Sequence, residues 1–184
     1  MSILNKLKNL NTRKAARLLE NHPLTGESLE LRLQYLAGVA LAIAIDREPS
    51  EGERMAFNAL ADSLAVDPAD AQEQLDERAS VTEEDIALLF AAIRERDAGY
   101  LYLLDLAWIH ATDGELDENE IAEQLAGLLE LDIQQVKNLH DFALLLKQRK
   151  LHDLLATSIQ VPQSQRLQEL LPALLKPCFP FAGV

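Results

Sequence analysis

Two stretches of this chain are apolar around nearly their whole circumference. One is the unbroken run of 11 residues from Tyr35 to Ile45; the other is residues 100–112, with Tyr100, Leu101, Leu103, Leu104, Leu106, Trp108 and Ile109. A helix without a polar face must be covered on all sides. Two such segments therefore demand an interior built from surrounding helices. Neither reaches the roughly 20 apolar residues that cross a bilayer. The chain has 184 residues, 48% of them hydrophobic, which fills such an interior and excludes a disordered or collagen-like polymer.

The residues around the two runs read as helices. Ile3, Leu4, Leu7, Leu10, Ala15 and Leu18 recur at spacings of three and four, which predicts a helix over residues 2–20. The loop Asn21-His22-Pro23-Leu24-Thr25-Gly26 stops it, and a second helix follows over about 28–46. Ser50-Glu51-Gly52-Glu53 is a capping box that starts a third. Asp67-Pro68 opens a fourth, with the aspartate as N-cap and the proline in the first turn. Thr82 and Asp85 begin a helix to about Asp97, which Gly99 breaks, and Asp113-Gly114 ends the apolar 100–112 helix. Asp117 and Glu120 pair as caps for 117–130, and Asp132 caps a helix to about Lys150. Beyond Val161-Pro162, leucines at 167, 170, 171, 174 and 175 predict a last helix, with Pro172 as a kink and Pro177 and Pro180 forbidding continuation. Strand patterns are almost absent, so the expected fold class is all-α, a compact bundle of eight or nine helices. Trp108 belongs in its core, and Asp105 must face the surface or meet a donor.

An internal repeat runs through this pattern. With Asp46 laid over Asp113, an offset of 67 residues, acids coincide at the first, third, sixth and eighth places of residues 46–53 and 113–120. A capping residue, Ser50 or Asp117, coincides at the fifth. Each copy follows an apolar helix. Each precedes a leucine-rich segment, Leu64-Ala65-Val66-Asp67 or Leu129-Glu130-Leu131-Asp132, after a two-residue deletion. Two copies are too few for a solenoid, so two pseudo-symmetric helical hairpins are expected. The organisation is then residues 1–27 as a basic amphipathic helix and loop, 28–150 as the helical domain with repeats of about 28–78 and 82–150, and 151–184 as a helical extension with an apolar tail.

Charge narrows the partners. Residues 1–19 carry Lys6, Lys8, Arg13, Lys14 and Arg17 and no acid, while the remainder holds 12 basic and 30 acidic side chains. So acidic a body repels phosphate backbones and excludes a general nucleic-acid binder. Cations or basic protein surfaces suit it better. Residues 2–19 can lie on an anionic membrane surface or an acidic partner, or fold onto the acidic body itself. Leu167-Gln168-Glu169-Leu170-Leu171 and Cys178-Phe179-Pro180-Phe181 have the spacing of docking segments, or of ordinary core anchors. Asn5, Lys6, Lys8 and Asn9 interrupt any signal-peptide core, and the one cysteine, Cys178, excludes an internal disulfide. The expected compartment is the cytoplasm, with residues 2–19 allowing contact with the inner face of the membrane.

No enzymatic constellation stands out. Glycine-rich phosphate loops, Gly-x-Ser-x-Gly, His-Glu-x-x-His and Glu-x-x-His are all missing. His22-Pro23 is followed by Leu24, so the His-Pro-Asp of a J-domain is missing too. His110 stands three residues before Asp113, which suits either a shared transition metal or a hydrogen-bonded core histidine. The densest chemistry is the second elbow, where Asp113, Glu115, Asp117, Glu118 and Glu120 set five carboxylates within eight residues. Such a cluster repels itself, and a hard cation such as Ca²⁺ or Mg²⁺ relieves the repulsion with oxygen ligands. Its spacing is not that of an EF-hand, since Glu118 and Gln124 occupy the places of the invariant glycine and the last glutamate. Caps and a solvated face are the structural alternative for the same acids.

Apolar helix, Ala-Thr-Asp-Gly-Glu-Leu-Asp-Glu-Asn-Glu-Ile, then a leucine-rich helix and Leu-Asp resembles the tellurite-resistance TerB-like domain, whose relatives include the membrane-proximal part of DjlA-type co-chaperones. The likeness covers roughly residues 30–145 and is strongest over 104–132. It implies a two-halved helical bundle, a non-enzymatic role in stress or envelope-associated systems, and divalent-cation binding by acidic turns. Carried over, the candidate metal ligands are Asp113, Glu115, Asp117 and Glu120, with Asp46 and Glu53 as the weaker set because Arg47 stands where Gly114 does and Pro49 follows. The alternative reading is a cation-independent adaptor that docks another protein through its helical surface or terminal segments.

Overall fold

The computed structural model describes residues 18–44, 48–111 and 119–147, with 168–170 and Leu174. The described residues contain seven α-helices, two short 3-10 turns and no strand, so the all-α class holds. The chain divides into two compact units, one up to Ile86 and one from Ala87. The helices expected over 2–20 and after Val161-Pro162 lie outside the described residues, apart from non-helical 18–20 and helical 168–170 and Leu174. Among the described residues no helix is long and apolar enough to cross a membrane.

In the first unit a 3-10 turn, Pro23–Gly26, leads into α1 (Leu29–Ile43), α2 (Glu51–Ser63) and α3 (Pro68–Asp76), and a second 3-10 turn, Arg78–Ser80, follows. Each start is capped by a short polar side chain. Ser28 Oγ accepts from Leu31 N–H at 3.3 Å and Asp67 Oδ1 from Ala69 N–H at 2.8 Å. Ser50 and Glu53 close the predicted capping box with reciprocal bonds of 3.1 and 2.8 Å. Helix α1 is the central element. Tyr35, Leu36, Val39 and Ala40 have no measurable exposure, and α3 packs along it and along α2. His22 is a structural residue of this unit. Its buried ring lies 5.4 Å from that of Tyr35, and its Nδ1 accepts from Leu24 N–H at 3.2 Å.

Helix α4 (Glu83–Glu95) spans the division, and the second unit continues with α5 (Gly99–His110), α6 (Asn119–Leu128) and α7 (Ile133–Lys147). Thr82 and Asp85 cap α4 as expected, with Asp85 Oδ2 accepting from Thr82 Oγ1 at 2.6 Å and from its N–H at 3.0 Å. The Thr82 hydroxyl, then its backbone amide, hold the Asp85 carboxyl below its ordinary value of 3.8. This cap is therefore complete above that value and is lost as pH falls through the lowered one. Helix α5 is central here as α1 is in the first unit, and α7 packs on it and on α6.

Two expectations need correction, and one alternative is decided. Gly99 does not break a helix; it opens α5, and the chain turns two residues earlier, where Asp97 takes a left-handed φ of 50°. A Cβ at 99 would stand 3.1 Å from Leu131 Cδ1, a tight contact with a side chain. Trp108 is not core but half-buried, the one residue of α5 that is not buried. Of the two positions open to Asp105, surface or buried, the structure has the buried one, at 2% exposure. Its charge adds to burial in raising the Tyr102 hydroxyl above its ordinary value of 10.0.

Some local features are common to the two units. Between Tyr35 and Ile43 every residue is buried except Ala37 and Leu41, and between Tyr102 and His110 every residue except Trp108, the counterpart of Leu41. Tyr102 meets Phe90 of α4 edge-on at 5.9 Å, and Tyr35 meets His22 at a tilt of 57°. The turns after α2, α4 and α6 share one hydrogen-bond pattern, that after α4 joining Ala98 N–H to Ile93 O at 3.0 Å around Asp97. Val66 N–H donates to Ala61 O at 3.0 Å and Leu131 N–H to Ala126 O at 2.8 Å, while Ala65 and Glu130 take left-handed φ values of 53° and 58°. This is the Schellman closure of a helix end, made here without glycine.

Candidate functional site: two acidic elbows

The elbow between α1 and α2 is described from Glu48 onward, and two of its acids, Glu48 and Glu53, are engaged. Pro49 cannot donate a backbone hydrogen, and its carbonyl instead accepts from Arg54 Nε at 3.0 Å. Arg54 Nη2 reaches Glu48 Oε2 at 3.1 Å, and Arg78 Nη2 takes Glu48 Oε1, so one carboxylate is clamped by two guanidinium groups. A further Arg78 bond, from Nη1 to Leu75 O, anchors the clamp on the end of α3. Glu53 is fully buried, and its Oε2 accepts from Ser50 N–H in the capping box. Asp46 lies outside the described residues.

The elbow between α5 and α6 holds the stronger candidates. Asp113, Glu115, Asp117 and Glu118 lie outside the described residues, and Glu120 is placed by its backbone in the first turn of α6. His110, the last residue of α5, is 8% exposed. Among the described residues no three histidine, cysteine, aspartate or glutamate side chains are grouped to hold a metal ion.

The arginines that clamp the first elbow are not repeated at the aligned positions of the sequence. At the 67-residue offset Arg54 falls on Ile121. At the 65-residue offset Arg78 falls on Ala143, inside α7, because that helix runs on to Lys147 whereas α3 stops at Asp76. The second elbow thus matches the first in acids and lacks its two arginines. Sequence reasoning passed over this clamp. Glu48 was visible only as one aligned acid, and Arg78 reaches it from 30 residues away.

Arginines also tie down the helix ends beyond each elbow. Arg32 Nη1 donates to Leu64 O at 2.7 Å and Ala65 O at 2.8 Å, and Arg94 Nη1 donates to Leu128 O and Glu130 Oε1, both at 3.0 Å. A cation at a helix C-terminus satisfies carbonyls that have no intrahelical partner. In the first unit the Ser63 carbonyl is met by His22 N–H at 2.9 Å and by Thr25 Oγ1 at 3.0 Å. The segment leading into the central helix therefore locks the end of the next one in both units.

Compared with protein-family models, curated proteins and solved structures, the chain matches none.

Proposed function

We propose that this chain is a duplicated, non-enzymatic helical module of the TerB-like kind, serving in stress or at the cell envelope. In this reading its second elbow holds a divalent cation, Ca²⁺ or Mg²⁺, through Asp113, Glu115, Asp117 and Glu120. The observation that carries it is the inequality of two segments whose acids align in the sequence. The first neutralises Glu48 with Arg54 and Arg78 and uses Glu53 in a cap. The second keeps five carboxylates in eight residues with Ile121 and Ala143 at the arginine positions. In this reading a hard cation takes the place of the two arginines at the second elbow.

Thermal unfolding of the full chain, with a chelator and with added Ca²⁺ or Mg²⁺, tests this. A ligand that binds only the folded state raises the midpoint, by about 2.7 kcal/mol of stability at a hundred times its Kd. An unchanged midpoint at millimolar ion would overturn the cation reading. It would favour the second one, a cation-independent adaptor, which the exposed Leu128 and Ile133 on either side of one turn support.

A further inference from the structure

We draw no further inference here: the strongest candidate, the apolar surface pair Leu128 and Ile133 flanking the turn between α6 and α7, carries nothing beyond the adaptor reading, because nothing in the structure shows what covers it.

Discussion

Tyr35 in the first unit and Tyr102 in the second sit in apolar helices 67 residues apart, and each is met by a ring from the segment that leads into its helix. In one case that ring is a histidine in a loop ending in a 3-10 turn; in the other it is a phenylalanine on α4. Each tyrosine gains a ring neighbour, at 5.4 or 5.9 Å, while the ring, its tilt and the element that delivers it differ. Packing against a central helix fixes where a ring must be, and leaves open how the chain brings it there. The elbows differ the other way round. Their acids align in the sequence, but where the first has Arg54 and Arg78 the aligned positions of the second hold Ile121 and Ala143.

The largest effect should come from the rings at the centre. Tyr35→Ala and Tyr102→Ala each remove a fully covered aromatic, and each should cost about 3–5 kcal/mol in denaturant unfolding. Similar losses sharpen the comparison, and a near-neutral change at either position breaks it. The two left-handed turn residues come next. Ala65→Gly and Glu130→Gly remove the Cβ penalty of positive φ and should each stabilise by about 1 kcal/mol. A gain at only one of them would mean that the two turns are not equivalent. The clamp is the smallest. Glu48 is 71% exposed, so Arg54→Ala with Arg78→Ala should cost under about 1 kcal/mol, and less at high salt in the same unfolding assay.

Much of the fold is legible in local sequence, because its determinants are local. Ser50 with Glu53, Asp67, Thr82 with Asp85, and Asp132 all cap the helices they were expected to start. The rest depends on neighbours distant in the chain. Nothing near Gly99 signals that Leu131 fills the space beside it, and nothing near Glu130 signals that a glutamate rather than a glycine will adopt positive φ. Trp108 was assigned to the core from helical spacing, yet the apolar circumference of α5 is covered everywhere except at that position. The candidate site divides in the same way. Its acids are plain in the sequence, whereas the arginine clamp that distinguishes one elbow from the other emerges only once α3 brings Arg78 back to Glu48.

The central claim is that the second elbow takes from solution the positive charge that the first obtains from Arg54 and Arg78. Calorimetric titration of the intact protein with Ca²⁺ and with Mg²⁺, beside the Asp113→Ala/Glu120→Ala double variant, tests it most directly. The account predicts a saturable heat for one of these ions that disappears in the variant. No heat at millimolar ion, or an undiminished heat in the variant, would contradict it.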